Sequence, residues 1–229
     1  MKIYTDNRLL SAGLVGGTVS RHSGNMCDLS AQNAIYKELN IPAQNIAHFH
    51  QIHSQRIITI SSADQVSLFQ TEPLQEADGW LVTTGNCGVA ILTADCVPLF
   101  LWDETGRLFA LSHCGWKGVV KRLPFLTAQA LLQAGASRVQ GWLGPHIQSC
   151  CFEVQEDVAT QFSKQSVIHK NGKIFVNLNT EILSQLKEAG LDLKQIKTPY
   201  YCTCGDPKNF FSWRRDHIRQ NLLSFIYKP

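Results

Sequence analysis

Hydrophobic positions along this chain fall into short, closely bounded runs in its first two thirds and into helical spacing between and after them. Runs rich in β-branched and aromatic residues predict strands at 13–19, 46–50, 56–60, 79–83, 88–93, 98–102 and 108–112. Asp103-Glu104-Thr105-Gly106, between the last two, has the chemistry of a hairpin turn. Apolar positions at three- and four-residue spacing predict helices over 29–39 behind an Asp28 cap, 118–133 ending at Gly135, 155–164, and 180–189 ending at Gly190. This order is neither strict strand–helix alternation nor all strand. It predicts an α+β fold with a mixed, largely antiparallel β-sheet core flanked by helices.

Composition adds that the chain is one ordered unit. Its 229 residues are 44% hydrophobic and 17% charged, far from a disordered profile, and no repeat or linker divides residues 1–229. The formal charge of +3, from 21 basic and 18 acidic residues without a block of like charge, is too weak to imply nucleic acid. The longest apolar stretch, 87–102, is short for a membrane span and contains Asp95 and Pro98. The first residues lack a secretory h-region, so a cytoplasmic location with eight reduced cysteines is expected.

Candidate chemistry collects at strand ends. Val89 to Leu99 is an apolar run broken by Asp95, Cys96 and Pro98, residues that a strand core would not choose. A second apolar run, from Leu108, ends in Ser112 and His113 before Gly115 and Gly118. Pairing through the 103–106 hairpin brings Cys96 and His113 together, as a metal site or as a thiol nucleophile with its base. Three histidines, His48, His50 and His53, compete for a third place, and spacing does not choose among them. Lys117, at the start of the helix expected from Gly118, suits an anion. The run 209–216 pairs aromatics with Arg214 and Arg215, and spacing favours a strand there.

Taken together, these segments resemble the YfiH-like family, formerly labelled multicopper polyphenol oxidases or laccases and now regarded as zinc-dependent purine nucleoside phosphorylases with adenosine deaminase activity. The resemblance rests on Gln51-Ile52-His53-Ser54, Ala77-Asp78-Gly79, Thr93-Ala94-Asp95-Cys96, His113-Cys114-Gly115-Trp116-Lys117-Gly118, Gly144-Pro145-His146-Ile147, Cys151-Phe152-Glu153-Val154 and Phe210 to Asp216. It implies that His53, Cys96 and His113 bind Zn2+, with the fourth position open as catalytic zinc requires. It also places the family's N-terminal arginine at Arg21. Cys114 and Lys117 stand where the family carries alanine and arginine, so a second thiol lies beside a ligand and the phosphate site loses a bidentate fork.

The expected reaction is phosphorolysis of adenosine, inosine and 5'-methylthioadenosine, with Arg21 and Lys117 on phosphate. Adenosine deamination would need a proton carrier, for which Asp95 is the nearest candidate. Purine nucleosides and phosphate are thus the expected partners, and a monomer and a homodimer both fit. Three rivals differ in class: a laccase-like copper oxidase, since a Cys/His2 set also accepts copper; a thiol hydrolase using Cys96 and His113; and a zinc-sensing module. Only eight histidines, at 22, 48, 50, 53, 113, 146, 169 and 217, weigh against several copper centres. Cys87, Cys150, Cys151, Cys202 and Cys204 receive no role from the sequence.

Overall fold

Alternation of side chains along the central strands dictates the architecture. In the strand Phe109–Cys114, the side chains of Phe109 and Leu111 enter one core and those of Ala110 and Cys114 another, because successive residues of an extended chain face opposite ways. Both sets are buried, so the sheet must be covered on both faces. The computed structural model, which describes residues 1–71 and 74–229, meets this with four layers.

The longer strands are β1 (Val15–Val19), β2 (Ile57–Ile60), β3 (Gly79–Val82), β4 (Cys87–Thr93), β5 (Val97–Asp103), β6 (Phe109–Cys114), β7 (Val139–Leu143) and β8 (Leu222–Lys228). Among the described residues, a five-stranded sheet runs Ile3–Tyr4, β1, β8, β4, Ile46–Ala47, and a six-stranded sheet runs Ile196–Lys197, β7, β5, β6, β3, β2. Pairing is antiparallel in the middle of each; β2 with β3, Ile46–Ala47 with β4 and Ile196–Lys197 with β7 are parallel. A small third sheet joins Glu153–Val154, Lys173–Val176 and Val167–Lys170. The architecture is the α+β arrangement expected from the sequence.

Trp80, Phe100, Trp102, Leu111 and Trp142 of the six-stranded sheet pack against Val89, Ile91 and Ile226 of the other, filling the space between them. The helices include α1 (Asn7–Ser11), α2 (Leu29–Glu38), α3 (Trp116–Val120), α4 (Leu123–Gln133), α5 (Leu178–Glu188) and α6 (Trp213–Asp216), with one further turn of helix at Glu156–Ala159. Ile35 and Tyr36 of α2 cover the outer face of the five-stranded sheet, and α4 and α5 cover that of the six-stranded sheet.

Several expected elements are corrected. The helix expected over 118–133 is two, α3 and α4, because Pro124 cannot donate to the Val120 carbonyl and its ring would crowd it. The chain turns between them with Arg122 at φ 67°. The helix expected at 155–164 shrinks to Glu156–Ala159, since the Ser163 and Ser166 hydroxyls and the Ser163 N–H donate to Glu181 instead. The strand expected at 46–50 ends at Ala47, after which His48 and His50 donate backbone N–H groups to the carbonyls of Phe69 and Gln75. Residues 209–216 hold no strand; Ser212 caps α6 by accepting from the Arg215 N–H. The sequence reading also passed over β7 and β8.

Candidate metal centre

The site forms where the chain crosses from one sheet to the other. β4 belongs to the five-stranded sheet and β5 to the six-stranded one, and the bend Ala94-Asp95-Cys96 between them places the Cys96 thiol at the open end of the sandwich. β6 returns antiparallel to β5 with Pro98 opposite His113, so the hairpin delivers the imidazole to the same end. The third member comes from the loop before β2, where His53 adopts φ 58°, a left-handed conformation that costs a non-glycine residue energy and must be held by its surroundings.

Asp78 holds it. Its fully buried carboxylate accepts from the N–H groups of Ile52 (3.3 Å), His53 (3.0 Å) and Ser54 (2.6 Å) and from the Ser54 hydroxyl (2.8 Å). The same carboxylate receives His113 Nδ1 at 2.8 Å, and the Asp78 carbonyl accepts the His113 N–H at 2.7 Å. One side chain thus fixes both histidines, and its contact with Nδ1 leaves His113 Nε2 for the site. Gln51 secures the loop's start: its amide bonds both the N–H (2.7 Å) and the carbonyl (2.8 Å) of Leu92 in β4. Burial alone would raise the Asp78 carboxyl pKa, but the His113 and Ser54 hydrogen bonds outweigh it and hold the group below its ordinary value.

The donor atoms of His53, Cys96 and His113 lie within 4.8 Å of one another, and Cys96 Sγ is 3.7 Å from His53 Nε2. Tetrahedral zinc with bonds of about 2.3 Å to sulfur and 2.0–2.1 Å to nitrogen separates such donors by about 3.6 Å. The residues therefore fit the ion. Gly115 gives a second indication, because a Cβ there would fall 2.9 Å from Cys96 Sγ and 2.5 Å from the His53 ring. Burial opposes charge on Cys96, yet the neighbouring His113 and His53 pull its thiol pKa down; burial likewise opposes charge on His113, while Cys96 and Asp78 push its pKa up. The arrangement favours a thiolate, the form that a metal binds.

The triad opens on a cavity of about 810 Å3, within the range of small-molecule sites. Phe49, Phe152 and Trp213 give it aromatic walls, and Arg214 and Arg219 are among its lining residues. The structure places the other candidates as follows. Asp95 lines the cavity, but its carboxylate accepts from the Thr203 hydroxyl (2.6 Å), the Ser212 hydroxyl (3.0 Å) and the Arg214 N–H (2.7 Å), so it anchors the C-terminal segment. Arg21 lies off the cavity, donating to the Pro207 carbonyl at 2.6 Å and covering the Phe211 ring. Lys117 is exposed beside Trp116 on the five-residue helix α3 and does not line the cavity either. His50 reaches the cavity, whereas His48 does not. Cys114 faces the opposite side of β6, buried among helix-side apolar residues, and is no part of the triad.

Asp78 is the functional residue that sequence reasoning passed over. Its visible signal in the sequence is an acidic residue next to a strand-opening glycine, Asp78-Gly79.

Fold and site together define a four-layer sandwich with three residues, His53, Cys96 and His113, whose donor atoms could hold a metal ion beside a cavity of small-molecule size. Residues 21–227 match the family described as multi-copper polyphenol oxidoreductase laccase, and the chain belongs to that family. It is 31% identical over 196 residues to a purine nucleoside phosphorylase of Clostridium acetobutylicum, covering 81% of this chain and 78% of that protein. It is 27% identical over 224 residues to adenosine deaminase RL5 of an unknown prokaryotic organism, covering 89% and 86%. Its fold matches the Bacillus licheniformis protein YfiH with a TM-score of 0.85 at 22% identity, covering 94% of this chain and 93% of that one. No helix among the described residues is long and apolar enough to cross a membrane.

Proposed function

We propose that this chain is a zinc-dependent purine nucleoside phosphorylase, cleaving adenosine, inosine and 5'-methylthioadenosine with phosphate, and that it also deaminates adenosine. The observation that carries the reading is the convergence of His53, Cys96 and His113 at the base of an aromatic-walled cavity large enough for a nucleoside. The names of the relatives point the same way. What the two activities share is a flat purine carrying a ribose; phosphorolysis adds an anion, and the cavity lining includes aromatic rings and arginines.

Phe49, Phe152 and Trp213 present ring area to a base. N-glycosidic cleavage develops positive charge on the sugar and negative charge on the base, so it needs phosphate held near the anomeric carbon and water kept away. Arg214 and Arg219 line the cavity and take the phosphate role in place of Arg21 and Lys117, which stand outside it. Arg214 is fixed by its own N–H on Asp95 and by Nη1 on the Glu153 carbonyl at 2.6 Å. Asp95 acts as a positioning residue for that arginine. When bound, zinc supplies Lewis acidity to a substrate oxygen or to water in its open position. Activity in a reducing compartment such as the cytoplasm fits eight free thiols.

The laccase reading is weaker. Among the described residues one cluster of potential metal donors contains histidine, whereas a multicopper oxidase requires several such centres. Incubation of the purified protein with inosine tests the proposal: hypoxanthine should appear only when phosphate is supplied, and the Cys96→Ala variant should fall to background. Equal rates from the two proteins, or phenol oxidation by zinc-loaded protein in the absence of copper, would overturn it.

A further inference from the structure

A second group of sulfur atoms lies apart from the triad. The turn after β7 carries Cys150 and Cys151, and the segment 202–206 carries Cys202; all three are free thiols whose Sγ atoms lie within 4.8 Å of one another. Cys150 Sγ is 3.4 Å from Cys151 Sγ and 3.5 Å from Cys202 Sγ, well beyond the roughly 2.05 Å of a disulfide. The backbone explains why they meet. His146 donates its N–H to Tyr201 O and Thr203 donates its N–H to His146 O, which zips the two loops side by side. Thiols that merely fill a core scatter among apolar side chains; these face each other, with Cys150 exposed and Cys202 buried.

Two backbone groups are already aimed at the buried sulfur. Gln148 N–H and Gly205 N–H approach Cys202 Sγ at 3.5 and 3.3 Å, donors that stabilise a thiolate more than a thiol. Cys204, two residues after Cys202, is a further free thiol on the same segment. Sulfurs about 2.3 Å from one tetrahedral ion stand about 3.8 Å apart; the two Cys150 distances of 3.4 and 3.5 Å lie within a few tenths of an ångström of that, and the third pair lies within 4.8 Å.

We propose that Cys150, Cys151 and Cys202 form a second, all-sulfur metal site for a soft d10 cation, Cu(I) or Zn2+, separate from the His53/Cys96/His113 centre. Soft thiolates select these ions over hard ones. Binding replaces the S–H protons: three thiols release three protons to solvent as three sulfur–metal bonds form, with no change of oxidation state. Cys150 provides the entry from solvent. An ion content of two per chain, one centre with histidine and one without, follows.

The test uses full-length Cys96→Ala protein, in which the first centre is disabled, reduced and freed of metal. It is titrated anaerobically with Cu(I), and separately with Zn2+, against a chromophoric chelator. One equivalent should be retained, with a thiolate-to-metal charge-transfer band in the ultraviolet. Adding Cys150→Ser and Cys202→Ser should abolish both. Retention of Cu(I) alone identifies a three-sulfur site; retention of Zn2+ that is lost on Cys204→Ser identifies a four-sulfur one. Because Cys202 is buried, the exposed Cys150→Ser change is also made singly, and it should weaken binding at least tenfold while the metal-free protein melts at an unchanged temperature. No uptake by the Cys96→Ala protein, or uptake that survives the double substitution, would overturn the proposal.

Discussion

At the residue scale, the candidate centre depends on Asp78 as much as on the three donors. A carboxylate that receives three backbone N–H groups, a hydroxyl and an imidazole N–H sets the left-handed turn at His53 and the orientation of His113 at once. Replacing it by asparagine keeps the volume but removes the charge and turns one acceptor into a donor. Asp78→Asn is expected to weaken zinc binding roughly 10- to 100-fold, the usual consequence of losing a ligand's outer partner. It should also lower stability by about 1–3 kcal/mol through the N–H groups left without an acceptor. Zinc competition and chemical denaturation measure the two separately, and a variant that binds zinc as tightly as the parent would show that Asp78 does not orient the ligands. Gly115 is constrained in the same neighbourhood, because any Cβ would press on Cys96 and His53.

Among the elements, α1 shows how a short helix survives. Its five residues are held by Asp6, whose buried carboxylate accepts the Arg8 N–H (3.0 Å) and the Arg8 guanidinium (2.7 Å), while that guanidinium reaches on to the carbonyls of Gln195 and Gly141. The cap therefore ties the N-terminus to the six-stranded sheet. Burial would raise the Asp6 carboxyl pKa; the Arg8 hydrogen bonds and the charges of Arg8 and Lys197 outweigh it and lower the pKa below its ordinary value. A depressed carboxyl contributes stability that is present above its unfolded pKa, about 3.9, and is lost as the pH falls through the lower folded value. Asp6→Ala should thus cost about 1 kcal/mol near neutrality, with the gap to the parent closing below about pH 4. Urea melts at pH 7 and pH 3 check this; the same gap at both would count against the ion pair.

For the whole molecule, the C-terminal strand closes the structure. β8 lies between β1 and β4, pairing with β4 from Leu222 opposite Thr93 to Lys228 opposite Cys87, and its Ile226 packs between the sheets. Removing residues 222–229 would expose the edges of two strands and open the core on both faces. The truncated chain is expected to lose cooperative unfolding and to aggregate, as read by thermal melting and by size-exclusion chromatography. A truncated chain that melts as sharply as the parent would rule out this closing role. The same segment leads back to the site, since Ser212 and Arg214, shortly before β8, bind the Asp95 carboxylate next to Cys96.

What could be read from the chain alone was local. Strand runs, the 103–106 turn and the caps at Asp28 and Gly190 are set by neighbours in sequence, and the hairpin register that brings Pro98 opposite His113 follows from them. The helix break at Pro124 was equally local and was open to reading. Spacing left three histidines equal, because what singles out His53 is its N–H on Asp78, 25 residues away, together with the bonding of Gln51, at the start of its loop, to Leu92, 41 residues from Gln51. The displacement of Arg21 and Lys117 from the cavity, the anchoring of Asp95 by Thr203, Ser212 and Arg214, and the meeting of Cys150 with Cys202 all depend on how separate loops are packed by the two sheets. Local chemistry determines an element and its ends; only burial of the shared core determines which ends face one another.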